Sequence, residues 1–498
     1  MAVAPETALP PPIARGRAVR DRYLIEEPEL TVAERRELAR VREHLFSVSP
    51  PEGRPPDRAE LRAALLAALD RYWTGEGTGG SDATRRRIAY YLVRDLVGFG
   101  PIDVPMADPE IEDISCDGVG IPIYVHHRRH GSLPTDRRFE EEVDLDRYVA
   151  WLAQRAGAQL SLAQPMLEAT LPGGARLQAT LGRQVTTRGS TFTIRRFSDR
   201  PLSPLDLLRR GTADAAVLAY LWLAIDLGES FIVCGGTASG KTTTLNAALQ
   251  FVAPERKVVS IEDTRELSLP LENWVPLVTR RPTGAGSGRD AGAIDMFDLL
   301  AAALRQRPQY LAVGEVRGRE AYTVFQAMAT GRTCLATFHA ENVAALVHRM
   351  ESPPIGLPRA LIAALPLVVL QRQVIVGDAP ARRVESVTEI VGRDPDTDEL
   401  VTSPVFEWDP RTDRFAFTGE SQLLRRHAEA TGTSLAEVDR ELRRRAEFLA
   451  TLAAGSTDEV GPREFGRWVS AYLREPAGTL AAAGAGRPGA VKASRRPA

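Results

Sequence analysis

Two features of this 498-residue chain predict an α/β fold built on a largely parallel sheet. The first is FIVCGGTASGKTTTLN, residues 231–246, where an apolar strand-like run passes through Gly235-x-x-x-x-Gly240-Lys241-Thr242 into a helix-like run. The second is the alternation of strand-like and helix-like runs from about 208 to 377, the pattern of β-α units stacked on a parallel sheet. The glycine-rich stretch reads as a phosphate-binding loop. Its backbone N–H groups turn inward around a di- or triphosphate, Lys241 reaches the β and γ oxygens, and the Thr242 hydroxyl is offered to Mg2+. The binding positions are Gly235, Gly236, Thr237, Ala238, Ser239, Gly240, Lys241, Thr242 and Thr243, with the start of the following helix adding its dipole. Lysine occurs at only three positions in an arginine-rich chain, 241, 257 and 492, and its use here suits a cradle too narrow for a planar guanidinium.

In chain order, residues 1–20 are rich in Pro, Ala and Arg and read as a disordered leader. Residues 21–98 read as helical, with segments at 32–45, 57–73 and 84–97 and a capping-box-like Asp57-x-x-Glu60. Residues 99–197 show a period near two in several short runs (IEDISCDG, IPIYVHH, ARLQATL, STFTIRRF) around one helix-like stretch at 144–156, which predicts an α+β N-terminal domain. Residues 198–207 read as a proline-broken linker. The nucleotide-binding core, 208–380, has strand candidates at 231–234, 258–262, 310–314, 334–338 and 373–376. Residues 381–475 read as a C-terminal extension of β-like runs followed by helices, one opened by the capping box Ser434-x-x-Glu437, and 476–498 as a disordered tail.

Bulk properties narrow the function classes. Lys+Arg 63 against Asp+Glu 65 leaves a net charge of −2, so no cationic surplus favours nucleic acid. Cys116, Cys234 and Cys334 are widely spaced and form no disulfide framework or zinc ribbon, and a reducing cytosol fits them. The start carries no signal-peptide pattern, and the longest apolar run, 360–370, is about half the roughly 20 residues of a spanning helix.

In a parallel sheet, the side chains just beyond the carboxyl ends of the strands face the bound phosphates. VVSIED ends in Glu262 and Asp263, YLAVGE in Glu315, and CLATFH in His339. Nucleotide hydrolysis needs a carboxylate to hold Mg2+ through water and a group to activate the attacking water. Glu315 stands at the Walker B position and Glu262 can serve either role; the sequence leaves the assignment open. His339 reads as a γ-phosphate sensor, set against a surface or core histidine.

The phosphate loop, the acidic IEDTREL stretch, LRQRPQYLAVGEVRGREA and TFHAEN resemble, in order, the Walker A, Asp, Walker B and His boxes of the type II/type IV secretion and pilus-assembly ATPases. YYLVRDLVGFGPID, IEDISCDGVGIPIYV, TTRGSTFTIRRF and MESPPIGLPRALIAAL look like the archaeal-type branch, which includes archaeal type IV pilus and archaellum motors. The resemblance implies a RecA-like P-loop core with a separate α+β N-terminal domain and a helical C-terminal extension. It implies ATP hydrolysis with Mg2+, a homo-hexamer, and docking on the cytoplasmic face of a polytopic membrane platform protein, with pilin-like or secreted substrates moved indirectly. It further implies N-terminal arginines that close the site, for which Arg188, Arg195 and Arg196 are candidates. Gln309 stands where many relatives have an aspartate, and the four-cysteine metal site of some relatives has no counterpart, so no zinc is expected. The alternative, a nucleic-acid translocating or conjugative DNA-export ATPase, finds no basic stripe interleaved with aromatics.

Overall fold

A strand pair too short and too arginine-rich to stand out in the sequence opens the structure: Arg15–Val19 (β1) and Arg22–Glu26 (β2). The computed structural model describes residues 14–46, 58–76, 80–196, 201–280, 292–377, 379–455 and 460–484. Its internal contacts divide the chain into two units, Met1–Asp199 and Arg200–Ala498.

In the first unit, the expected leader and the helical reading from residue 21 give way to the β1–β2 hairpin. Tyr23 and Ile25 alternate inward and are buried, and the Tyr23 hydroxyl donates to Asp108 Oδ2 at 2.7 Å. Residues 1–13 of the leader lie outside the described residues. Helices Val32–Phe46 (α1), Arg58–Glu76 (α2) and Asp82–Leu96 (α3) follow, close to their expected bounds. They bury Val41, Leu69, Trp73, Ile88 and Leu92 against one another. Asp57 of the expected capping box lies outside the described residues. A short Asp103–Ala107 (α4) leads to strands Ile111–Cys116 (β3), Pro122–His127 (β4) and Gly131–Arg138 (β5). Glu142–Arg155 (α5) then precedes Met166–Thr170 (β6), Arg176–Thr180 (β7) and Thr191–Arg195 (β8). The mostly antiparallel sheet has the order β1-β2-β5-β4-β3-β8-β7-β6. β5 and β6 were not among the expected strands: Pro134 interrupts the β pattern of one, and the other is a half-exposed edge.

The second unit starts inside the expected linker. Pro204 occupies the first turn of Pro204–Arg209 (α6), where its missing N–H costs nothing, and Ser203 and Asp206 form a capping box ahead of it. Residues 197–200 lie outside the described residues. Then come Ala215–Asp226 (α7), Phe231–Gly235 (β9), Lys241–Leu249 (α8), Val258–Glu262 (β10), Trp274–Val278 (β11), Met296–Arg305 (α9), Tyr310–Val313 (β12), Glu320–Ala329 (α10) and Thr333–Phe338 (β13). Val343–Glu351 (α11), Arg359–Ile362 (α12), Leu367–Val376 (β14), Ala379–Arg393 (β15), Leu400–Asp409 (β16) and Arg414–Phe417 (β17) complete the sheet. Its order is β11-β10-β12-β13-β9-β14-β15-β16-β17, parallel from β11 to β14 and antiparallel beyond. β9, which leads into the glycine-rich loop, and β12, which Glu315 follows by two residues, are thus separated by β13, and the whole is a RecA-like α/β core.

β9, β10, β12 and β13 are buried along their full length, so both faces must be covered. Phe231 and Val233 face α7, α8 and the C-terminal helices, while Ile232 and Cys234 face α9 to α12. The boundary expected at 380 falls inside the β14–β15 hairpin: the C-terminal β runs extend the core sheet instead of forming a separate layer. Gln422–Thr431 (α13), Leu435–Gly455 (α14) and Pro462–Arg474 (α15) follow, and Pro476–Gly484 (α16) replaces the start of the expected disordered tail. The aromatic cluster of Trp222, Phe251, Phe448, Phe465 and Tyr472 fixes these helices to α7, and Arg445 lies 4.6 Å over the Trp222 ring and bonds Asp226 at 2.6 Å. Among the described residues, no helix is long and apolar enough to cross a membrane.

Candidate functional site

The loop between β9 and α8 runs over the carboxyl end of a fully buried strand, and its two glycines are required by what surrounds them. A Cβ on Gly235 would lie 2.2 Å from the Gln371 carbonyl oxygen of the neighbouring β14. Gly240 caps α8 at φ +96°, in the left-handed region. Between them Thr237 and Ala238 are exposed, whereas Ser239 is buried.

Three donors converge on one atom inside the loop, the carbonyl oxygen of Gly236. Lys241 Nζ donates to it at 2.8 Å, Ser239 Oγ at 2.9 Å, and the Ser239 N–H at 3.5 Å. An ammonium, a hydroxyl and a backbone N–H at the N-terminus of a helix form a donor set for an anion, and a phosphate oxygen would compete with a neutral carbonyl for all three. Burial lowers the Lys241 pKa while the nearby Glu315 carboxylate opposes that shift, and a charged ligand would add to the opposition. Thr242 and Thr243, in the first turn of α8, are half-buried.

The sheet register aligns the remaining candidates with this loop. Ile261 pairs with Val313, Val313 with Ala336, and Phe338 with Cys234, so Glu262, Glu315, His339 and the loop leave the same edge of the sheet. Glu262 is 1% exposed. Its Oε1 accepts the N–H groups of Glu266 and Leu267, each at 2.8 Å, while Oε2 is buried with no partner among the described residues. Burial outweighs those two hydrogen bonds and pushes its pKa from 4.5 up to about 7. Gly314 leaves room for it: a Cβ there would lie 3.0 Å from Glu262 Cγ. Glu315 differs in every respect. Its carboxylate is partly exposed and Oε2 is paired with the Arg317 guanidinium. His339, at the end of β13, is half-buried, and its carbonyl oxygen accepts from Arg349.

The N-terminal arginines divide. Arg195 is exposed, with Asp113 Oδ1 at 3.6 Å. Arg196 is held inside its own unit, donating from Nη1 to the carbonyl oxygens of Pro105, Asp108 and Ile111. Arg188 is exposed. Consecutive residues leaving a strand point to opposite sides, and the pair Arg195–Arg196 obeys that rule.

Sequence reasoning missed two groups. Arg317 stands two residues after Glu315 and holds it, a signal present in the GEVRG stretch itself. Gln371 and Arg382 flank the loop from β14 and β15, more than 130 residues downstream, where nothing local marks them.

The protein-family model for the type II/IV secretion system protein family matches residues 123–409, more than half of the chain. An uncharacterized protein of Methanocaldococcus jannaschii is 36% identical over 456 residues, covering 87% of this chain and 82% of its own. A putative conjugal transfer protein of Mycobacterium tuberculosis is 35% identical over 222 residues, covering 43% of this chain and 62% of its own. Among solved structures, the Legionella pneumophila ATPase DotB aligns at a TM-score of 0.42 with 16% identity, covering 80% of this chain and 90% of that one. The match of the family model over more than half of the chain shows that this chain belongs to the type II/IV secretion system protein family.

Proposed function

We propose that the chain is the ATP-hydrolysing motor of a type II/type IV secretion or type IV pilus/archaellum-like assembly system. The observation that carries this reading is the convergence of Lys241, Ser239 Oγ and the Ser239 N–H on one interior oxygen, a donor set suited to a phosphate oxygen.

In the proposed site, the loop N–H groups and Lys241 hold the phosphates, and the half-buried Thr242 hydroxyl and the Glu315 carboxylate, which lies near Lys241, would supply hard oxygen donors that suit Mg2+. Bound there, Mg2+ would neutralise charge on the β and γ oxygens. Glu315, partly exposed and paired with Arg317, is the group that reaches a water and accepts its proton. Glu262, buried and pinned by two backbone N–H groups, braces the segment after β10. His339 faces the same edge as a sensor of the terminal phosphate, and Arg195 is the arginine that an adjoining protomer of a homo-hexamer would use. Docking on a membrane platform protein and indirect movement of pilin-like or secreted substrates complete the reading.

Lys241→Ala should abolish ATP hydrolysis while the melting temperature stays within about 2 °C of wild type, because the cation sits in a half-open loop outside the packed core. Wild-type turnover in that variant would overturn the site. Stimulation of turnover by single-stranded DNA but not by lipid vesicles would favour the nucleic-acid motor that the conjugal-transfer relative brings into view.

A further inference from the structure

β14 overhangs the phosphate loop. It pairs with β9 from Leu367↔Phe231 to Gln371↔Gly235, then continues to Val376 paired with β15. In that hairpin Gln371, Gln373 and Ile375 share a side with their cross-strand partners Val384, Arg382 and Pro380. This side faces the loop, because a Cβ on Gly240 would strike Gln371 Nε2 at 2.9 Å and Arg382 Cδ at 3.0 Å. Gln371 is 3% exposed, and its Oε1 is buried without a partner among the described residues. The opposite side of the hairpin is anchored: Arg383 is buried, forks onto Asp413 at 2.7 and 2.9 Å, and donates to the Arg210 carbonyl at 3.2 Å. Arg382 is therefore delivered to the loop from a fixed base.

Its Nε donates to the Ala238 carbonyl oxygen at 3.0 Å. In a planar trans peptide the C=O and the next N–H point in opposite directions. A guanidinium that holds the Ala238 oxygen on the outer side of the loop therefore turns the Ser239 N–H inward. Among the described residues that N–H has only the long 3.5 Å contact with the Gly236 oxygen, the same atom that collects Lys241 and Ser239 Oγ. Ala238 holds this arrangement at φ +58°, a conformation that disfavours alanine and that the guanidinium contact offsets.

We infer that Arg382 is a positioning residue of the nucleotide site: it fixes the Ala238–Ser239 peptide plane so that the Ser239 N–H is presented to a nucleotide phosphate, without itself touching the nucleotide. The inference rests on the nucleotide-binding reading above. Loop N–H groups serve the phosphates that ATP and ADP share, so the effect should not distinguish the two.

The test uses the full-length protein and titrations with fluorescently labelled ADP and a labelled non-hydrolysable ATP analogue, beside steady-state hydrolysis and thermal melting. Arg382→Ala should weaken both nucleotides by about tenfold, the size of one hydrogen bond to a charged group. KM should rise to match, while kcat at saturating ATP stays within about twofold. Arg382→Lys should recover part of the affinity, since an ammonium can still donate to the Ala238 oxygen. Unchanged affinities in Arg382→Ala overturn the inference. So does a loss confined to the ATP analogue, which would mean a direct contact with the terminal phosphate, and so does a fall in kcat at unchanged KM. If wild-type protein binds neither nucleotide while remaining folded, the nucleotide-site reading itself falls and this inference with it; a normal wild type beside an unaffected Arg382→Ala removes this inference alone.

Discussion

Glu262 and Glu315 are both acids at the ends of adjacent parallel strands, yet their surroundings give them different work. For Glu262, burial raises the pKa from 4.5 to about 7, so between these values the folded chain binds more protons than the unfolded chain. Stability then falls as pH rises through that window, by up to about 3 kcal/mol when the group is fully ionised. Glu262→Gln keeps an oxygen acceptor for the Glu266 and Leu267 N–H groups but cannot ionise. The variant should lose that part of the decline, which melting curves between about pH 4.5 and pH 7.5 would resolve. Parallel pH profiles for variant and wild type would show that Glu262 is not desolvated in solution. Glu315→Gln should behave differently: nucleotide affinity is retained while turnover drops by about a hundredfold or more, because the proposed general base is removed and the loop is not. Single-turnover measurements decide between the two acids. A deeper loss in Glu262→Gln at unchanged binding would transfer the water-activating role to Glu262.

At the scale of elements, what was legible in the sequence is what its own neighbours determine. β9 with the glycine-rich loop after it, β10 and β12 are specified by local apolar runs and a glycine spacing, and they stand where the sequence places them. β11 was not legible, because ENWVPLV carries Pro276 and lies half-exposed at the edge of the sheet. β14 begins six residues before its expected start, since LPLVVL is apolar without a period and fits a buried helix equally well. α16 is compositionally a tail; packing of Thr479 and Ala483 orders it. The same limit applies to Arg195 and Arg196, which look alike in sequence and are separated by the pleat. Arg196→Met would remove the guanidinium donor shared by the carbonyl oxygens of Pro105, Asp108 and Ile111, and should destabilise the first unit by about 1–3 kcal/mol. Arg195→Ala should leave melting unchanged and lower turnover by about tenfold or more with little change in nucleotide affinity, as a group acting on transition-state charge does. If Arg196→Met instead melts like wild type and loses turnover, the two assignments are reversed.

At the scale of the whole molecule, the second unit contains the loop, both acids, His339 and the Arg382 support, together with its own two-faced core. It should therefore fold without the first unit. In the proposed mechanism it still needs a means to exclude water from a loop whose Thr237 and Ala238 are exposed, and a further cation besides Lys241 to meet charge that develops on the terminal phosphate. In the proposed motor both come from the N-terminal unit and from assembly, so a fragment of residues 201–484 should melt cooperatively, bind nucleotide weakly and hydrolyse it at least about tenfold more slowly per site than the full chain. Full-length activity per protomer should rise with concentration as the oligomer forms, while that of the fragment should stay flat. Sedimentation in parallel with the assay ties the rate to the assembled species. Should the dilute, monomeric fragment match the full-length rate per site, closure and assembly contribute nothing to the chemistry, and the first unit would serve as a docking module for the membrane partner.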